Sequence, residues 1–369
     1  MTSVSGRGVD RGVDNDVGHD VDVVIIGGGP VGLTASLYAR RAGWSAVVVE
    51  TRPMPVDKAC GEGLMPTALS ALQRLGVDPV GRDFVGISYL PAAEGRSAVA
   101  EFRHGPGRGV RRTELQAALH RRATQLGVEH VAGRVTYVEP CPTMYPDQLV
   151  VTLATGERIR SRYVLAADGL HSPTRRRLGL DAGPAGAARY GLRVHYGLPP
   201  WSDRVEVYWG RTAEAYVTPV ADDLVGVAIL GDRGGGSFRT RLQQFPALTC
   251  RLRDHLPVDK VAGAGPLRQT ASALAVGHVL LIGDAAGYVD ALTGEGLSIG
   301  ITSARLAVDC LVRGQPQRYP DRWEAASRRT RMLTEAMVAA ARTRWVRPFV
   351  VPLAARAPLL FTQAVRSLA

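Results

Sequence analysis

Lysine is almost missing from this chain: Lys58 and Lys260 are the two that occur in 369 residues, and the net charge of +11 rests on arginine. The arginines are scattered, apart from pairs such as Arg111-Arg112 and the run Arg175-Arg176-Arg177, and no zinc-finger, helix-turn-helix or RNA-binding signature accompanies them. That pattern argues against nucleic acid as a partner and leaves anionic cofactors, substrates or lipid surfaces. Cysteine is scarce too. Cys60, Cys141, Cys250 and Cys310 are dispersed with no C-x-x-C, which excludes a disulfide scaffold and fits a reducing cytoplasm. No H-E-x-x-H, Cys/His cluster or G-x-S-x-G occurs, so neither a metal site nor a hydrolase is expected. Long apolar runs are also lacking. The most apolar stretch, Trp345 to Phe361, is broken by prolines and arginines well short of the ~20 residues a membrane span needs. It reads as short helices packed on the body, or as a lid or peripheral membrane contact for a greasy substrate. Residues 1–19, with Arg-Gly-Val-Asp twice, lack the apolar segment of a secretory signal and are expected to form a disordered tail.

Glycine, by contrast, is abundant, with 42 residues, and it sits where three apolar strands end. The first strand, Val21 to Ile26, runs into Gly27-Gly28-Gly29-Pro30-Val31-Gly32, a helical stretch to Gly43 and a second strand closing on Glu50. Gly27 permits the tight turn, Gly29 lets a pyrophosphate approach the backbone, and Gly32 lets the helix pack on the strand. The helix opened by Pro30 and Val31 offers unpaired N–H groups and roughly half a positive charge to phosphates. Glu50 is placed to accept hydrogen bonds from an adenosine ribose, with Thr51 and Arg52 directly after it. The second strand signature ends in Asp168-Gly169 and the third in Gly283-Asp284. An Asp at such a strand end can accept hydrogen bonds from polyol hydroxyls. A helix opening at Gly294-Glu295-Gly296-Leu297 can aim its N–H groups at an electron-rich ring edge.

With these three signatures in order, the chain resembles the FAD-dependent group that includes single-component aromatic hydroxylases and geranylgeranyl reductases, over residues of about 20 to 340. The resemblance implies FAD as cofactor and NAD(P)H as a transient reductant, since no second GxGxxG of comparable quality exists to hold the latter. It implies that Asp168, Gly169, Ser172 and Arg175 lie near FAD and the passing nicotinamide, and that Gly283 and Asp284 hold the ribityl chain. It further implies that Arg112, three residues before Leu115, contacts the cofactor and that the Val135 backbone touches the adenine. Cys60-Gly61-Glu62-Gly63 resembles the C-G-x-G loop of the reductase branch, as does Thr293-Gly294-Glu295-Gly296. Two departures stand out. Leu292 replaces the usual Pro above the flavin, and Tyr216-Val217-Thr218-Pro219 keeps only the Tyr and Pro of the reductase motif Y-x-W-x-F-P.

The expected fold is α/β: a Rossmann-like, glutathione-reductase-like FAD-binding domain with an inserted antiparallel substrate sheet and a helical C-terminus. The FAD domain would comprise residues 20–60, 108–182 and 268–320, the substrate domain 61–107 and 183–267, and the terminal helices 321–369. In the second insertion four alternating strands would make one antiparallel sheet. Met332, Leu333, Met337 and Val338 fall at helical spacing and are expected to be core. His195, Tyr216, Tyr208, Glu62 and Cys60 are candidates for acid–base or ring contacts by location. His195 reads first as a sheet residue satisfied by its neighbours, and Cys60 reads equally as a buried structural thiol. The expected activity is NAD(P)H-driven hydroxylation of an electron-rich, phenolic or lipid-like natural-product intermediate through a flavin C4a-hydroperoxide. The alternatives are reduction of isoprenoid double bonds and a flavin-bound, redox-sensitive binding protein. The G-W-x-W-x-I-P motif of flavin halogenases is absent.

Overall fold

The computed structural model describes residues 17–141, 148–183 and 188–368. Most of the expected tail therefore lies outside the described residues, but its last three belong to a strand. Strand β1 is Val17–Ile26. It begins ahead of the apolar run because its partner, Arg158–Ala166, is long enough to pair with Val17 and His19.

From β1 the chain crosses through helix α1 (Pro30–Arg41) to β2 (Ala46–Glu50). Helix α2 is Pro66–Arg74, α3 is Arg112–Gln125 and strand β3 is Glu129–Ala132. Strand β4 is Arg158–Ala166. Strands β5 (Arg189–Gly197), β6 (Val205–Trp209), β7 (Ala213–Ala221) and β8 (Leu224–Asp232) follow. Strand β9 (Val279–Leu281) leads to helix α4 (Gly296–Val312), and helices α5 (Tyr319–Arg342), α6 (Val350–Arg356) and α7 (Pro358–Leu368) end the chain.

The parallel sheet has the order β9-β4-β1-β2-β3. Its strands read as continuous apolar runs because both faces are covered. Val23 and Ile25 pack with Leu33, Leu115 and Ala304 of the helices, whereas Val24 and Ile26 pack with Val135, Val151 and Leu153 of an antiparallel flap. Register brings Ile26 level with Val49, Ala166 and, through Ala166, Leu281. Three glycine-bearing turns therefore emerge side by side from one edge, where open α/β sheets bind ligands. This is a Rossmann-type α/β architecture with a second sheet and a helical C-terminus.

The second sheet has seven strands rather than four. β5, β8, β7 and β6 are joined at one end by Ala262–Ala264 and at the other by a hairpin, Gly86–Pro91 with Ala98–Glu101. The hairpin enters through a parallel pairing of Ile87 with Val205. Alternation along the strands divides this sheet: Tyr208 faces a cluster with Phe238 and Phe245, and Tyr216 faces the one holding Met65 and Leu292. Helix α5 corrects one expectation. Met332 is 64% exposed; Met337 and Val338 do pack against the core, but the positions the helix turns fully inward beyond Trp323 are Ser327, Thr334 and Ala341. Small side chains at those positions let it approach the Thr293 turn, where Thr334 and Thr293 share a 2.9 Å hydrogen bond.

Candidate active site

The first turn is dictated by backbone space. Gly27 has φ 109°, and a Cβ on Gly32 would sit 1.9 Å from the Gly27 carbonyl oxygen. Gly29 precedes the first residue of α1, Pro30, whose missing N–H costs nothing there. The Glu50 carboxylate accepts from Gly28 N at 2.9 Å and from Arg52 N at 3.1 Å. Thr51 and Arg52 lie exposed at the mouth. Arg112 Nη2 lies 3.7 Å from where a Gly29 Cβ would be, so a buried guanidinium flanks the phosphate-binding turn. Burial pushes Arg112 below its ordinary value, while Cys60, Asp284 and Asp57 oppose that shift. Gln116, one turn along α3, braces the turn by donating to Gly28 O at 2.6 Å and accepting from Val56 N at 2.7 Å. Nothing in the sequence marked Gln116.

At the second turn, Asp168 Oδ2 accepts from Thr174 N at 2.9 Å, and its Oδ1 is buried without a partner among the described residues. Gly169 takes φ 83°, and Lys58 Nζ lies 3.7 Å from its missing Cβ. Arg175 is not available to a nicotinamide. It is fully buried and donates to Leu170 O, Ala285 O and Gln269 Oε1 within 3.1 Å, as well as to Asp181. A long side chain with five fixed donors is the one that can tie two strand-end turns together. At the third turn Gly283 N donates to Ser303 Oγ. Asp284 is raised to about 6 by burial, against the pull of Lys58 and Arg112. Lys58 is in turn lowered, chiefly by burial.

Val135 opens the flap strand rather than ending the sheet-edge strand. The strand end beside Glu50 is Ala132, whereas Val135 lies past the next turn and its carbonyl accepts from Arg177 Nη1 at 2.9 Å. Its side chain packs under the sheet with Val49 and Val151.

The turn before α4 is held from several sides. Tyr216 donates its hydroxyl to Leu292 O at 2.8 Å, which commits that hydroxyl to structure, and burial raises it well above its ordinary value. Gly294 has φ 71°, and Gly296 closely faces the Tyr288 ring. Leu297 packs partly buried against the core. Glu295, between the two glycines, is 4% exposed. Its Oε1 has no hydrogen bond of good geometry among the described residues, and burial, opposed by the nearby Ser298 hydroxyl, pushes the carboxyl up to about 8. Sequence reasoning passed over it as a turn residue.

The Cys60–Gly63 loop closes the site from the side of the second sheet. Gly61 is exposed and its carbonyl accepts from Thr218 Oγ1 at 2.8 Å. Cys60 Sγ accepts from Glu62 N at 3.4 Å, and burial raises the thiol, so it stays protonated at neutral pH. Glu62 alone among the described non-glycine residues has a positive φ, 61°. That strain is held by both carboxylate oxygens: Oε1 accepts from Arg112 N at 2.9 Å, and Oε2 lies 2.7 Å from His195 Nε2. His195 is fully buried, and its Nδ1 lies 2.6 Å from Asp259 Oδ2. Arg193 donates to the same Asp259 oxygen at 2.9 Å and pairs with Asp57. Gly226 leaves the space for this carboxylate, since a Cβ there would meet Glu62 Oε2 at 2.9 Å. His195 and Glu62 are therefore linked to one another and to partly exposed Asp259. Tyr208, by contrast, faces away and donates to Glu206 at 2.7 Å.

An extended dinucleotide fits these groups. Gly27–Gly32 and Arg112 offer donors to a pyrophosphate, Glu50 an acceptor to a ribose, and Asp168 and Asp284 acceptors to a polyol. The unpartnered Asp168 oxygen supplies the specific vacancy in hydrogen bonding that a ligand hydroxyl would satisfy.

Fold and site together define an FAD-dependent oxidoreductase. The chain matches the FAD binding domain family over residues 20–341 and belongs to it. It is similar to a menaquinone reductase of Mycobacterium tuberculosis, at 29% identity over 325 residues, covering 80% of this chain and 77% of that protein. It is also similar to the FAD-dependent monooxygenase OpS4 of Beauveria bassiana, at 34% identity over 273 residues, covering 63% of each. A solved geranylgeranyl bacteriochlorophyll reductase-like protein from Thermoplasma acidophilum shares the fold, with a TM-score of 0.78 and 18% identity over 95% of this chain and 96% of that one.

Proposed function

We propose that this chain is an FAD-dependent reductase that adds a hydrogen pair across a carbon–carbon double bond of a long apolar substrate of the quinone or isoprenoid class, with NAD(P)H as the visiting reductant. Such a reaction consumes a hydride and a proton at a site kept dry. Bound reduced flavin supplies the hydride. The proton must come from the chain, and one observation carries the reading: Glu295, a buried carboxyl with an oxygen lacking a hydrogen bond of good geometry, sits in the turn expected to face the flavin ring. A buried acid raised to about 8 holds its proton at neutral pH and can give it up there. The Cys60–Gly63 loop, latched by Glu62 and His195, would keep solvent out and orient the substrate against the turn. Likeness to a menaquinone reductase over 80% of the chain adds support.

The test uses FAD-loaded protein, NAD(P)H and a polyprenyl quinone under anaerobic conditions, with products followed by mass spectrometry. Gain of a hydrogen pair is expected. Hydroxylation of a phenolic or lipid-like acceptor is the second reading, favoured by the 34% identity to a monooxygenase. Incorporation of an atom from labelled oxygen, with no anaerobic product, would establish it instead. Substrate-stimulated NAD(P)H oxidation well above background would exclude a binding protein without turnover.

A further inference from the structure

The C-terminal segment is one-sided in charge. Residues 336–369 contain five arginines and no aspartate or glutamate. Arg347 turns inward to Glu214 and to the carbonyls of Gly210 and Ala213, while Arg342, Arg344, Arg356 and Arg366 are exposed. Helices α6 and α7 each bury one face: Val351, Phe361 and Val365 pack inward, with Phe361 against Tyr89 at 4.7 Å between ring centroids. Their other face is also apolar. Leu353 on α6, and Trp345 and Phe349 in the turn and short 3-10 segment that lead into it, are all more than half exposed. Leu359 and Leu360, past the bend, are 84% and 69% exposed.

Among the described residues no single helix is long and apolar enough to cross a membrane, and the paired segments Arg347–Arg356 and Pro358–Arg366 meet at 101°. A surface-lying arrangement fits that bend better than a span. Beside it opens a depression of about 470 Å³ whose lining includes Phe102, Arg103, His104, Arg329, Leu359 and Arg366. Basic side chains around an apolar floor suit a phosphate headgroup with its acyl chains. Two copies of the face would set these arginines against one another, which disfavours self-association.

We infer that this face seats on an anionic phospholipid bilayer, with Trp345, Phe349, Leu353, Leu359 and Leu360 entering the headgroup boundary and the arginines meeting lipid phosphates. Pro66 also lines the depression and directly follows Met65, whose Cε lies 3.2 Å from where a Gly294 Cβ would be. A lipid substrate, if the function proposed above holds, would thus reach the Gly294 turn without passing through bulk water. Docking itself is independent of that function.

Vesicle flotation of the full-length, FAD-loaded protein tests it without turnover. Strong flotation is expected with phosphatidylcholine vesicles containing phosphatidylglycerol, falling with salt, and little with phosphatidylcholine alone. The double variant Arg344→Ala/Arg356→Ala should weaken partitioning by on the order of tenfold. Leu359→Asp/Leu360→Asp should abolish it while bound FAD and circular dichroism stay unchanged. Should that variant misfold, brominated acyl chains in anionic vesicles provide a second measurement: they should quench wild-type fluorescence far more than that of Trp345→Phe. The inference is overturned by absent flotation, by equal binding to both vesicle types, by equal quenching in the two proteins, or by a dimer in solution that Leu359→Asp/Leu360→Asp dissolves.

Discussion

The two ends of the candidate site are built by different means. At the dinucleotide end, the parallel strands finish level and glycines leave no room for any side chain, so the geometry is written in the backbone of a short segment. At the ring end, the geometry depends on side chains far apart in sequence: Glu62 and His195 are separated by 133 residues, Asp57 and Arg193 by 136, and Tyr216 and Leu292 by 76. The first end tolerates little change in shape. The second can change its chemistry while the fold stays intact, which is what relatives of differing activity on one architecture require.

Four changes would break or sharpen that contrast. Gly32→Ala has the largest expected effect, because a Cβ 1.9 Å from Gly27 O must displace α1 from β1. Bound flavin, read by absorbance, should be lost, and retention of full occupancy would refute a backbone-built end. Glu295→Gln should keep the flavin and lower turnover by on the order of 100-fold. Unchanged turnover would remove Glu295 as the proton source. In the wild type the acid must be protonated to act, so turnover should fall as pH rises through about 8.

Glu295 also sets a stability trend whose sign is fixed by its raised value. The folded state holds the proton more tightly than the unfolded chain does. Stability is therefore full below the ordinary value of 4.5 and is lost progressively as pH rises towards about 8. Asp284 contributes in the same direction between 3.8 and about 6. Flavin-free protein should melt at lower temperature at pH 8 than at pH 5, by on the order of a few kcal/mol in stability, and Glu295→Gln should flatten most of that slope. His195→Asn should leave the flavin bound but loosen the Cys60–Gly63 loop, costing about 2 kcal/mol because the buried Glu62 Oε2 loses its partner while partly exposed Asp259 keeps Arg193. Hydrogen exchange at Gly61 and Glu62 would report it, and unchanged protection would discount the latch. Tyr216→Phe is the smallest, about 1 kcal/mol by thermal unfolding for one buried hydrogen bond to Leu292 O.

The same contrast explains what could be read beforehand. Gly27, Gly29, Gly32 and Glu50 announce themselves because their spacing is a local consequence of one strand, turn and helix. Asp168 and Asp284 do so because each ends an apolar strand. Glu295 hid between two glycines, since no local rule says that a turn carboxyl will be buried. Asp259 and Arg193 hid because the groups they meet, loop residues Asp57 and Asp259 and strand residues Arg193 and His195, are far apart in sequence. Val135 opens the flap strand Val135–Pro140, just past the sheet-edge strand Glu129–Ala132, a division that the run of apolar residues after α3 did not announce. Of the expected stripe, Met337 and Val338 do pack against the core while Met332 is exposed, because Ser327, Thr334 and Ala341 share the helical period and face inward. Close packing on the Thr293 turn selected the small residues. One signal was available and unused. A chain with two lysines places one of them, Lys58, beside Gly169 and Asp284.

That placement gives the molecule a built-in gauge. Lys260 and Lys58 are both exposed, but Lys58 lies against the strand-end turns, its Nζ 3.7 Å from where a Gly169 Cβ would be, so a ligand seated on those turns would cover one amine and leave the other open. Acylation yields at the two positions, taken as a ratio within each sample, would follow ligand arrival and departure with no engineered tag.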